Sequence, residues 1–441
     1  MFFINIQNPL DKIIHFCFIM YCITFLFDES IGYFFIRIAF ILGLIKFIKY
    51  KSIYFSWNTL NKYILPFLVF FGIIFFSLFI HGLEYSSVSR YEKLIKIFIP
   101  FLAGLLFISN KKQLYWIIGS LFLSALINDI YSIYDYFIQN ADRTNGINMG
   151  TLYFSGILLL QLPVLLCALI KNNLSKYKTF LIFFILILVL FTIFTNNSRM
   201  TWFITIIDIF IFCWIFIKSK TKKLLVLFGI VLTLFVSYNL NSNINTRINS
   251  IFDTNNISTR GHYFYLRDGF NLFLEHKLIG VGLDNFKEAI LHDNLISEES
   301  LNNLKQDLHE KINNKYVMPH AHNDMVMFLS ELGFLGGIIY LYLFGSILIY
   351  TLKNWHINKN IFDLSIFIMT INILIRGLSD YNLANIGVIS LYFFIYALYL
   401  RYLLLQSNKS QESIKSRYIL FVYGGILLII LLRIISRYLI N

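Results

Sequence analysis

Three polar clusters interrupt an otherwise apolar chain, and each carries residue types suited to work on an anionic substrate. The first is Asn196-Asn197-Ser198-Arg199. A guanidinium holds its charge at any working pH and offers planar, two-point hydrogen bonding that fits a phosphate; the plainer reading is an arginine snorkelling from a helix end. The second is Ser258-Thr259-Arg260, where an arginine in a first helical turn opposes the helix dipole unless an anion compensates it. A solvated surface arginine would look the same. The third is Met318-Pro319-His320-Ala321-His322-Asn323-Asp324. Imidazole suits proton transfer near neutral pH. His-x-His followed by Asp could also be half of a metal site, but no second His/Cys/Asp cluster on the same membrane face completes it, so no metal is expected. Asn323 or Asp324 can instead cap the helix that follows. Positions two apart on a helix or regular turn point about 200° away from each other, so only one of the two histidines should face a pocket.

The scaffold that must position these clusters is a membrane protein. The chain has 441 residues, 58% of them hydrophobic and 14% charged, with a mean hydropathy of +0.68, which no water-exposed surface carries. Apolar runs recur at Ile13–Phe27, Ile31–Phe47, Ile64–Ile80, Leu94–Ser109, Leu114–Phe137, Gly150–Ile170, Thr179–Thr195, Met200–Ile217, Leu224–Leu240, Met325–Leu352, Ile361–Ile375, Ile386–Leu405 and Tyr418–Ile435. Most approach the ~20 residues that a helix needs to cross a bilayer, and the alternating pattern of barrel strands is absent. The predicted fold is all-α with twelve transmembrane helices, thirteen if the last run also spans. Asp28-Glu29-Ser30 follows the first run where a leader would need small residues, so that run reads as a retained span. Cys17, Cys22, Cys167 and Cys213 all fall within apolar runs and read as packing residues.

The net charge of +13 is an orientation signal. Lysines crowd alternate connections, such as Lys46 to Lys51, Lys171 to Lys178 and Lys218 to Lys223, while the connections between carry few. By the positive-inside rule the Lys-rich connections and the amino terminus are cytoplasmic, and nucleic acid is not the partner. The division that follows is residues 1–240 with nine spans, a polar loop over 241–323 on the external face, and residues 324–441 with the remaining spans. The loop holds eight Lys/Arg and ten Asp/Glu. Within it, Ser258 can cap a helix with an apolar stripe at Tyr263, Leu266, Phe270 and Phe273, ending before Gly280-Val281-Gly282. Ser297 with Glu298 and Glu299 opens a second helix towards Ile312. Counting spans puts Arg199, Arg260, His322 and the 376–385 connection at one membrane level.

His322-Asn323, nine residues, Gly333, two residues, Gly336 resembles the signature of the O-antigen ligase and polymerase superfamily. In that family the signature closes a large periplasmic loop, an essential arginine precedes the loop in a short periplasmic connection, and another opens it. Arg199 and Arg260 match these in kind and order, and Lys96-Ile97-Phe98-Ile99 and Gly377-Leu378-Ser379-Asp380 are similar to the ligase branch. The resemblance implies an inner-membrane, metal-independent, inverting glycosyltransferase with no cofactor. Its donor would be a glycan on undecaprenyl pyrophosphate and its acceptor lipid A-core, in lipopolysaccharide assembly. It implies His322 as the catalytic base, with Arg199, Arg260 and Lys96 on the pyrophosphate and Asn323, Gly333, Gly336 and Asp380 in support. It also places His322, rather than His320, at the pocket. Alternatives within the same chemistry are an O-antigen polymerase or a protein O-oligosaccharyltransferase. From another class, a lipid-linked glycan flippase would use intramembrane charges such as Arg37 and Asp208 and line a cavity at mid-bilayer.

Overall fold

The computed structural model describes residues 9–50, 57–82, 85–170, 174–221, 223–225, 228–229, 245–246, 249, 257–292, 310–312, 315–317, 320–383 and 386–406. Eight helices come first: α1 (Pro9–Thr24), α2 (Glu29–Tyr50), α3 (Trp57–Ile80), α4 (Tyr85–Phe107), α5 (Lys111–Ile138), α6 (Thr151–Ile170), α7 (Lys176–Thr195) and α8 (Arg199–Phe216). After them come α9 (Ile257–Glu275), α10 (Phe286–His292), strands β1 (Glu310–Ile312) and β2 (Lys315–Val317), then α11 (Asp324–Asn358), α12 (Ile361–Arg376) and α13 (Ile386–Gln406). Eight of these, α2, α3, α5, α6, α7, α8, α11 and α13, are long and apolar enough to cross a membrane. Of the other expected runs, α1 and α12 are each sixteen residues long, and α4 carries Arg90, Glu92, Lys93 and Lys96. Run 224–240 lies mostly, and run 418–435 wholly, outside the described residues.

Local chemistry marks the helix ends. Asn110, Ser175, Asn323 and Asn360 each accept a first-turn N–H at their helix start. Pro66, Pro100 and Pro163 lie inside helices, as bundles in lipid tolerate. Helices that are apolar all round bury one side and leave the other to lipid. On α2 the outward residues are Ile31, Phe34, Ile41, Ile45 and Ile48, and on α7 they are Phe180, Phe183, Phe184 and Ile187. The main core gathers α1, α2, α3, α4, α11 and α13, and α13 is buried on most sides. A second core joins α6 to α7. All four cysteines are buried and free.

The loop between α8 and α11 differs in part from expectation. The α9 helix forms where the Ser258 start and apolar stripe place it, but α10 was not expected. The helix read from Ser297 lies outside the described residues until 310–312, which pair as β1 with β2 in an antiparallel hairpin, Glu310 opposite Val317. Helix α11 breaks at Gly333, whose φ of 66° and ψ of −158° are open essentially to glycine alone. The break has a purpose in packing. Segment 277–282, which follows α9, runs against it with three backbone hydrogen bonds: Val281 N–H to the Ser330 carbonyl (3.0 Å), Gly282 N–H to Glu331 (2.8 Å) and Phe334 N–H to Lys277 (2.7 Å). A Cβ on Gly333 would strike the Leu278 carbonyl group, and one on Gly336 the Phe328 carbonyl. Gly333 thus seats the loop on the bundle, while Gly336 lets α11 pack closely on its own turn across the break.

Candidate active site

Four segments remote in sequence meet at one end of the bundle: the start of α8, the first turns of α9, the 320–324 turn and the 376–383 turn. At the first, the asparagines of Asn-Asn-Ser-Arg act as struts. Asn196 is fully buried and donates to the Thr144 carbonyl at 2.8 Å; Asn197 donates to the Asp142 carbonyl. They fix the entry to α8, and Arg199 is its first residue. The Ser198 side chain makes no capping bond there, so a cation occupies the helix's positive end.

On α9, Arg260 is the fourth residue and His262 lies two positions on. The His262 ring meets that of His322 edge to face at 5.1 Å, and Tyr265 stacks on His322 at 4.9 Å. The packing around its ring lowers the pKa of His262; Asp380 acts on it in the opposite sense and Arg199 in the same sense. Arg199 and Asp380 therefore both lie within electrostatic reach of this histidine.

His322 sits at a φ of 49°, a left-handed turn that reverses the chain just before the Asn323 cap. The expectation that His320 and His322 point apart fails for this reason. The reversal brings their rings to 4.1 Å, and the His322 N–H donates to His320 Nδ1 at 3.3 Å. Burial first, then the neighbouring His320 and His262, push His322 down to about 3, so its imidazole is neutral at ordinary pH. His322 Nδ1 lies 4.0 Å from Asp380 Oδ1.

Asp380 is in turn held from beneath. Arg376, 3% exposed, pairs with it at 3.2 Å and also donates to Asn382 Oδ1 at 2.6 Å and the Leu152 carbonyl at 2.9 Å. Asn382 donates to Asp324 Oδ2 at 2.9 Å, the Asp324 N–H bonds the Gly377 carbonyl at 2.8 Å, and Asn323 donates to the Leu378 carbonyl at 3.0 Å. The start of α11 and the 376–383 turn are thereby one hydrogen-bonded unit, and the His322–Asp380 distance is fixed by it. From α4, Arg90 donates to the Leu383 carbonyl at 3.2 Å and lies over the Tyr381 ring at 5.1 Å.

Of the residues singled out in sequence, the structure brings His322, Asn323 and Asp380 together, with Arg199 in electrostatic reach and Arg260 on the same helical turn as His262. Lys96 lies six residues beyond Arg90 on α4, about 9 Å further along the helix axis. Sequence reasoning missed His262, Tyr265, Arg376 and Asn382. Two signals could have found some of them: a histidine two positions after the loop arginine, and the i,i+4 spacing of Arg376 with Asp380 at a helix end. Chemically, the arrangement offers a neutral imidazole with a carboxylate 4.0 Å from its Nδ1, and Arg199 within electrostatic reach of the neighbouring His262. Among the described residues no group of three or more His, Cys, Asp or Glu is arranged to hold a metal ion.

No curated protein was found to match the chain. Residues 183–341, which run from within α7 into α11 and include Arg199, Arg260, His322, Gly333 and Gly336, match the family model described as O-antigen ligase, and this supports membership of the O-antigen ligase superfamily.

Proposed function

We propose that the protein is an O-antigen ligase of the bacterial inner membrane, transferring a glycan from undecaprenyl pyrophosphate to a hydroxyl of lipid A-core on the periplasmic face. The observation that carries this reading is the convergence of His322, His262 and Arg199, all inside the segment that the family model matches, with Asp380, beyond that segment, 4.0 Å from His322.

The chemistry follows from the residues. The acceptor hydroxyl gives its proton to neutral His322, and Asp380, close to Nδ1, steadies the imidazolium that forms. The acceptor oxygen bonds to the anomeric carbon as the glycosyl–phosphate bond breaks, and the electron pair leaves on the pyrophosphate. Arg199 and Arg260 stabilise that charge. One displacement inverts the anomeric centre, and no enzyme nucleophile takes part. In this role the low pKa of free His322 is raised when the anionic donor binds beside it, which moves the base towards its working range.

A transporter reading has less support. The apolar cleft between α5, α6, α12 and α13 has a volume of about 150 Å³ and is lined by groups such as Leu121, Ile157, Met369 and Leu398, with no charged residue among the described lining. Arg37 and Asp208 do not line it; Asp208 instead accepts from Asn372 at 2.8 Å, a bond that joins α8 to α12.

Deleting the gene and running the lipopolysaccharide on a gel tests the assignment. A ligase predicts loss of long-chain material with accumulation of full-length lipid-linked polymer. Core bearing a single repeat would mean a polymerase, and unchanged material would end both readings.

A further inference from the structure

Helix α9 carries large apolar side chains on its outward face as well as its inward one. Its outward face carries Tyr263, Leu266, Phe270 and Leu274, all between 40% and 61% exposed. At 100° per residue these four fall within an arc of about 80°. The inward face buries Asp268 completely, paired with Arg267 at 2.9 Å, beside Phe264, Tyr265 and Leu272. A loop helix in water would put its charges outside and its large apolar side chains inside.

The neighbouring surface says what covers this ridge. Directly after α9, Leu278 is 78% exposed and Ile279 is also exposed. These two lie in the segment tied to the break in α11 through the Phe334 to Lys277 bond. From that level α11 continues with outward Phe334, Leu335, Ile338 and Leu341, and it is one of the helices long and apolar enough to span. The outward face of such a span is solvated by lipid alone. Leu274 at the end of the ridge is followed by exposed Leu278 and Ile279, which the Phe334 to Lys277 bond joins to that face at the α11 break. Arg267 leans its guanidinium over the rings of Tyr263 and Phe264 at 5.8 and 4.9 Å, and Tyr and Arg together are the residues that settle at a lipid–water boundary.

We propose that the Tyr263–Leu266–Phe270–Leu274 ridge of α9 is a lipid-binding surface, embedded in the headgroup and upper acyl region of the leaflet next to the site. The loop is thus an interfacial element as well as a cover, whatever reaction the site performs.

The test uses the full-length protein in vesicles of phosphatidylethanolamine with phosphatidylglycerol as the minor lipid. Phe270→Cys and Leu274→Cys are labelled separately with the environment-sensitive fluorophore NBD; the four native cysteines are buried, so label goes to the new thiol. Both side chains are exposed and outside the site. The proposal predicts blue-shifted emission, quenched more by lipid with a spin label near the headgroup than by lipid with the label near the chain end, and little affected by iodide in the buffer. Quenching by iodide but by neither lipid would overturn it, because the ridge would then face water. Blue-shifted emission insensitive to both lipids would also overturn it, because a protein surface, such as a second copy, would then be the cover.

Discussion

Replacing Gly333 by Ala sets two costs against each other. Retaining the present backbone would force a side chain into a glycine-only conformation, about 1–3 kcal/mol, and drive its Cβ into the Leu278 carbonyl group, a further ~1–3 kcal/mol of overpacking. Releasing segment 277–282 would instead give up three backbone hydrogen bonds, about 1 kcal/mol each. The two routes are comparable, so the loop should loosen at a cost of about 3 kcal/mol while the bundle stays folded. An opening free energy lower by that amount raises the exchange of the amides involved by roughly 10²-fold at 25 °C. Hydrogen exchange of peptides holding Val281, Gly282 and Phe334 reads this directly. Gly345→Ala on the same helix is the control, since a Cβ there meets nothing within 4 Å and the change should be neutral or mildly stabilising. Exchange at 281–282 in Gly333→Ala equal to that in Gly345→Ala would refute the seating role given to the signature glycine.

Three further outcomes follow from the site. Asp380→Asn keeps the shape but not the charge beside His322 Nδ1, and turnover should fall on the order of 10²–10⁴-fold with donor affinity kept; an unchanged rate in a purified transfer assay removes Asp380 from the account. Because His322 is pushed from 6.5 down to about 3 in the free protein, it contributes no acid limb to kcat/KM between pH 6.5 and 5, and an inflection there that is traced to His322 contradicts the neutral imidazole. The same shift has a sign for stability: below pH 6.5 the unfolded chain takes up a proton that the folded one does not, so this contribution is lost progressively as pH falls towards 3. Arg199→Lys and Arg260→Lys each keep the charge and lose the planar fork; turnover should drop heavily in both, and wild-type rates in both would leave Arg199 as a snorkelling residue and Arg260 as a surface one.

What was legible in the sequence was what long apolar runs and chain order encode. Every described apolar run is helical, and α9 begins where Ser258 and its stripe place it, because local periodicity decides such elements. Residue type and order were enough to single out Arg199, Arg260 and His322 as candidates. The partner network was not. Arg376 and Asn382 become site residues only because the start of α11 is hydrogen-bonded to the 376–383 turn, a tertiary fact with no local pattern. The mutual approach of His320 and His322 was misread because regular-turn geometry was assumed where His322 takes a positive φ. The α9 stripe was legible as apolar, but which side it faces depends on how buried Asp268 docks, which no single helix reveals.

The most direct test is transfer by the purified protein in vesicles supplied with undecaprenyl-pyrophosphate-linked glycan and lipid A-core. As a general base, His322 contributes on the order of 10²–10⁴-fold, so His322→Ala should reduce transfer by that factor while the protein stays folded and binds donor, and His320→Ala should be milder. Near-normal transfer by His322→Ala would contradict the account at its centre.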